Sequence, residues 1–139
     1  MEKRIRSSAV CIRDRRLLAI ELQDPTTKKR FWSVPGGEME TNESPRDAAV
    51  RETFEETGYR VRIDDASYLE TRYVFHWNAR IFDCKTHWFR GYIDDPDPSP
   101  VDDAGYLLQA TWLPLTAVNE LFSDHPEIRE PIRKLISPS

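Results

Sequence analysis

Glu52, Glu55 and Glu56 stand at i, i+3 and i+4, so on a helix their carboxylates share one face. Like charges at that spacing oppose helix formation by roughly 0.2–0.5 kcal/mol per pair. A chain that keeps such a cluster calls for a cation to neutralise it. Carboxylate oxygens are the ligands of hard divalent ions, and Mg2+ commonly takes one or two of them together with phosphate oxygens of a substrate. Gly36 and Gly37 lie just upstream, where the missing Cβ lets backbone approach an ion or a phosphate closely. Arg51 can hold Glu55 four residues on, or reach a neighbouring acid. The chemistry this set suits is metal-assisted attack of water on phosphorus.

The helix that must carry these acids is well marked. Ser44 suits the N-cap, Pro45 the first helical position, Asp47 the capping-box site three residues after the cap, and Gly58 the left-handed residue at the end. Val50, Thr53, Phe54 and Thr57 form the i, i+3, i+4, i+7 stripe expected to pack on a sheet, away from the glutamates. Upstream, 4–13 and 17–23 read as strands of a hairpin around Asp14-Arg15-Arg16. Residues 24–30 form a polar loop, and Phe31 to Val34 a short strand stopped by Pro35-Gly36-Gly37. Downstream, 59–63, 67–77 and 79–92 read as strands, with Asn78 as a turn between the longer two. A Pro/Asp loop follows over 94–104, then a short strand at 111–113 and a helix over 115–122. Ile128, Ile132, Leu135 and Ile136 mark a terminal helix, in which Pro131 is either a kink or the start.

The chain has 139 residues, a length suited to one domain over 1–139, and neither a repeat nor a low-complexity linker divides it. Its net charge of −4 offers no global attraction for duplex nucleic acid or an anionic membrane, so a polyanionic ligand needs local cations or a bridging metal. No apolar run approaches a bilayer-spanning length, and the N-terminus has no signal-peptide pattern. Cys11 and Cys84 are far apart and read as small apolar residues in a reducing compartment, which points to the cytoplasm.

The spacing Gly37, Glu43, Arg51-Glu52, Glu55-Glu56, Gly58 resembles the Nudix box, GX5EX7REUXEEXGU with U a bulky apolar residue. Every charged and glycine position matches; Thr53 stands at the first U, and Tyr59 fills the second. Thr53 lies on the packing face, where its hydroxyl can bond back to the carbonyl four residues earlier. The resemblance implies an α/β/α sandwich, a mixed sheet flanked by the box helix and C-terminal helices. It implies hydrolysis of a nucleoside diphosphate linked to another moiety, with Mg2+ or Mn2+. By the same resemblance Glu52, Glu55 and Glu56 bind metal, Arg51 orients a glutamate, and Gly37 offers backbone contact to the ion. Glu43 and Gly58 support the loop–helix geometry. In many members an acid outside the box helps activate water, and Asp102 and Asp103 lie in a loop of the right kind.

Lys28-Lys29-Arg30 is either a phosphate clamp or a solvated hairpin tip, with Arg30 the candidate for substrate contact. Trp32, Tyr73, Phe75, Trp77, Trp88 and Phe89 include candidates to stack on a base, although alternation along strands sends about half of such residues inward. His76, His87 and His125 lack metal-ligand spacing. The expected function is a metal-dependent pyrophosphohydrolase for a small nucleotide-type substrate. The rivals are a non-catalytic nucleotide sensor on the same fold and an acidic protein-interaction domain. A homodimer through the aromatic strands at 67–92 remains open at this level.

Overall fold

The computed structural model describes residues 1–102 and 105–137. Seven strands, β1 (Glu2–Arg13), β2 (Arg16–Gln23), β3 (Arg30–Ser33), β4 (Gly36–Glu38), β5 (Arg62–Trp77), β6 (Arg80–Tyr92) and β7 (Leu107–Pro114), are joined by hydrogen bonds. The main path runs β3-β2-β1-β6-β5, with β4 on β1 and β7 on β2. The β1–β6 pair is parallel and all others are antiparallel, so the sheet is mixed.

The hairpin turns have a local cause. Asp14 and Arg15 have φ of 52° and 59°, as do Asn78 and Ala79, the left-handed pair of a turn that matches strand twist. β1 and β2 pair only beside their turn, at Ile12↔Leu17 and Arg13↔Arg16. Beyond it β1 pairs with β4 at Arg6–Ser8, while β2 pairs with β3 and β7. The two half-sheets thus part company, and the space between them becomes a cavity.

Both faces of the sheet are covered, so its central strands are apolar on successive residues rather than alternate ones. Ala9 and Cys11 of β1 face one cluster with Leu18, Ala49 and Phe89. Val10 faces another with Leu17, Trp88, Phe122 and Ile132. The first lies under α1 (Pro45–Thr57). The second lies under α2 (Val118–Leu121), which follows a single 3-10 turn at Leu115–Ala117, and under α3 (Pro126–Ile136). The α/β/α layering is as expected.

Several boundaries differ from the sequence reading. Gly36–Glu38 is a strand, not a stop, because Ser7 and Ser8 of β1 offer it a ladder at Gly37 and Gly36. The segments around 59–63 and 67–77 merge into β5, with a register shift between Asp64 and Tyr68. β7 extends well beyond 111–113 because β2 pairs along its length. Pro126 starts the terminal helix and Pro131 lies buried inside it. On α1 the packing face is Ala48, Ala49, Thr53 and Thr57, with Val50 partly buried against the same cluster. Phe54 is exposed, with the Arg60 guanidinium 5.5 Å from its ring.

Candidate active site

The start of α1 is built as its residues dictate. Ser44 Oγ accepts the Asp47 N–H at 3.1 Å, and Pro45 needs no partner for an absent donor. At the other end Gly58 has φ 79°, and its N–H donates to the Phe54 carbonyl at 2.9 Å. A Cβ there would lie 1.9 Å from the Ser99 carbonyl oxygen. Gly58 therefore serves both the helix cap and the docking of the 94–102 loop, whose Ser99 N–H donates to the Gly58 carbonyl at 2.8 Å. Thr53 Oγ1 donates to the Ala49 carbonyl at 2.7 Å, and Thr57 repeats the pattern on Thr53. The hydroxyls that replace aliphatic bulk on this face are satisfied within the helix.

Arg51 organises the acids. Its Nε and one terminal nitrogen donate to both oxygens of Glu43, at 2.8 and 2.9 Å, and the same terminal nitrogen reaches the Glu38 carbonyl at 3.1 Å. The other terminal nitrogen donates to Glu52 at 2.9 Å and to Glu55 at 3.3 Å. The two-pronged contact to Glu43, rather than the i+4 pair with Glu55, is the principal one. It holds the Glu43 carboxyl at about 2, well below the ordinary range, and raises the guanidinium's own value further. Glu43 thus ties the approach loop to the helix.

Glu52 and Glu56 face the cavity between the half-sheets, which has a volume of about 350 Å³. Gly36 donates its N–H to Glu56 Oε1 at 2.8 Å. Burial, opposed by that N–H and reinforced by the charge of Glu52, pushes the Glu56 carboxyl up to about 8. Burial also raises Glu52, against the pull of Arg51. Gly37 has no side chain, and the Glu52 carboxylate occupies the place of one. Glu55 is more open, with 56% of its side chain exposed, and it turns to Arg51 instead of the cavity.

The donor set fits a hard divalent cation. Two carboxylates shielded beside glycine backbone present oxygens alone, and Mg2+ commonly takes one or two carboxylates with substrate phosphates completing its shell. Among the described residues no three acid, histidine or cysteine side chains converge as a ready-made protein cage. That arrangement suits an ion shared with a phosphate better than a structural one.

The remaining candidates are placed as follows. Arg30 and Trp32 do not line the cavity; Phe31 and Ser33 of the same strand do, because alternation sends neighbours to opposite faces. Lys28 and Lys29 are exposed in the β2–β3 loop. Asp102 is exposed and does not line the cavity, and Asp103 lies outside the described residues. The described part of the 94–102 loop is tied elsewhere, through Ser99 to Gly58, Asp94 to Arg62 and the Asp95 carbonyl to Arg13. Tyr73, Phe75, Trp77 and Trp88 line the cavity, whereas Phe89 belongs to the core under α1. Sequence reasoning passed over Arg4, Arg6 and Tyr106, which also line it. The signal for the arginines was present: positions 4, 6 and 8 of one strand share a face.

The chain is similar to known proteins along most of its length. The NUDIX domain model matches residues 3–135. A "MutT-like protein" of Streptomyces ambofaciens is 39% identical over 72 residues, 52% of this chain and 44% of that protein. The "RNA pyrophosphohydrolase" of Bartonella henselae is 39% identical over 63 residues, 45% of this chain and 35% of that protein. The matched stretch therefore spans less than half the length of each of these relatives. Among solved structures, a NUDIX hydrolase from Nitrosomonas europaea superposes with a TM-score of 0.72 at 24% identity, covering 95% of this chain and 87% of that one. A C. elegans Ap4A hydrolase superposes with 0.70 at 18% identity, covering 94% and 93%. At such identities the superpositions speak for the fold. With the family model spanning nearly every residue, the chain belongs to the NUDIX domain family.

Proposed function

We propose that the protein is a metal-dependent pyrophosphohydrolase that cleaves a phosphoanhydride bond in a nucleoside diphosphate linked to another group. The observation that carries this reading is the pair Glu52 and Glu56, half-shielded in one cavity beside the Gly36-Gly37 backbone, the first braced by Arg51 and the second by the Gly36 N–H. Relatives named as pyrophosphohydrolases and phosphohydrolases support it.

Glu52 and Glu56 would hold Mg2+ or Mn2+, with Glu55 and the Gly37 backbone adjoining. When bound, that ion supplies Lewis-acid polarisation of a phosphoryl oxygen and neutralises phosphate charge. The protein's own part is positioning. Arg51 fixes the carboxylate of Glu52, the Gly36 N–H fixes that of Glu56, and Glu43 fixes Arg51 in turn. Shielding within the cavity strengthens each of these electrostatic contacts relative to water. The aromatic lining gives a planar base a surface to stack on. The free, buried thiols of Cys11 and Cys84 suit a reducing compartment such as the cytoplasm, and among the described residues no helix is long and apolar enough to cross a membrane.

A panel of nucleotide classes (sugar and ribose diphosphates, dinucleoside polyphosphates, deoxynucleoside triphosphates, capped and triphosphorylated RNA ends) assayed with Mg2+ and Mn2+ tests the reading. Turnover of at least one class should vanish in EDTA and fall steeply in Glu52→Gln and Glu56→Gln. Equal, negligible rates in wild type and both variants would favour the sensor instead.

A further inference from the structure

Arg6 is the one guanidinium on the cavity wall without a partner among the described residues. Its neighbour on the same face, Arg4, is engaged: the Arg4 guanidinium lies 3.7 Å from the Phe82 ring centroid and 3.8 Å from a Glu38 oxygen. Arg6 has neither an ion pair within 4 Å nor a side-chain hydrogen bond among the described residues, and its Nε is buried with no acceptor. A shielded, unpaired N–H of a charged group costs free energy unless something accepts it. The side chain is held in place by register. Arg6 sits across from Glu38 on β4 and beside Thr86 on β6, next in line to Ser8, Gly36 and Gly37 on the wall where Glu52 and Glu56 emerge. The same cavity carries Phe31, Phe75, Trp77 and Tyr106, with Phe31–Trp77 ring centroids 6.0 Å apart and Trp77–Tyr106 5.6 Å apart. An occupant that satisfies both parts is an anion joined to a planar ring.

We propose that Arg6 binds a phosphate of the substrate directly, independently of the metal. Guanidinium nitrogens match phosphate oxygens in pairs, which a point charge does not. The assignment rests on the cavity being the substrate site, yet it concerns binding and not the chemical step, so the two can fail separately.

The test uses the full chain in EDTA, with ADP and adenosine as probes, and quenching of tryptophan fluorescence as the readout, since Trp77 and Trp88 line the cavity. Wild type should bind ADP more tightly than adenosine. Arg6→Gln should bind ADP about ten- to a hundredfold more weakly, the loss of a charge-assisted contact, with adenosine unchanged. Arg6→Lys should fall between the two, and Arg60→Gln, an exposed arginine elsewhere, should match wild type. Circular dichroism checks that each variant is folded; should Arg6→Gln not fold, Arg6→Lys decides by the same comparison. Wild type that fails to distinguish ADP from adenosine, or a folded Arg6 variant that binds ADP as wild type does, overturns the assignment. Arg6-dependent ADP binding in a protein that hydrolyses nothing on the panel upholds the phosphate site and sinks the catalytic reading.

Discussion

Gly37 and Glu52 are fitted to each other: a Cβ on Gly37 would lie 2.4 Å from the Glu52 carboxyl carbon and 2.6 and 2.7 Å from its oxygens. The glycine is required by close approach and not by its backbone angle. Gly37→Ala should therefore displace Glu52 while leaving the fold intact, lowering kcat/KM by about ten- to a hundredfold, the usual cost of disturbing support around a metal ligand. Steady-state kinetics across a Mg2+ titration checks this. An unchanged rate and metal requirement would mean that the Glu52 position does not matter to the reaction.

Glu43 offers a prediction about acid stability. Its carboxyl is lowered to about 2 by Arg51, from an ordinary value of 4.5. The folded state binds fewer protons than the unfolded one between those values, so the stabilisation is complete above about 4.5 and is lost as pH falls toward 2. Glu43→Gln should cost about 1–3 kcal/mol at neutral pH, as expected for a hydrogen bond to a charged group. The gap from wild type should narrow as pH falls below about 4.5 and close only near pH 2. Urea unfolding at several pH values reads both effects.

The opposite sign holds for Glu56, whose carboxyl is raised to about 8. Without metal the folded state holds a proton that the unfolded state has released, so stability declines as pH rises from about 4.5 to 8. Glu56→Gln keeps the carbonyl that accepts from Gly36 and removes the titrating group. In EDTA it should melt above wild type at pH 9 and close to it at pH 5, and with Mg2+ restored its turnover should fall steeply. A variant that melts below wild type at pH 9 would contradict the burial argument.

Thr53 is fully buried, and its hydroxyl bonds only within its own helix. Thr53→Val preserves the shape and removes a satisfied polar group. Stability should change by less than about 1 kcal/mol and activity not at all. Thermal melts and one kinetic assay suffice, and a large loss of turnover would show that this face communicates with the acids.

The helix and its acids were legible in the sequence because their determinants are local. Ser44, Pro45 and Gly58 act within a turn of the helix ends, and the i, i+3, i+4 spacing of Glu52, Glu55 and Glu56 needs only helical geometry. The turns at Asp14-Arg15 and at Asn78 were likewise readable from the strands on either side, although the second also takes in Ala79, which the sequence reading gave to the next strand. What those acids face was not readable. Burial of Glu52 and Glu56 against exposure of Glu55, and the engagement of Arg51 with Glu43, depend on where β4 lies against β1. The aromatic and cationic lining depends on the parting of two half-sheets, which places Phe31 rather than Trp32, and Arg6 rather than Arg30, in the cavity. Spacing along one element is a property of the chain. Which face meets which partner is a property of long-range packing, and only the tertiary structure decides it.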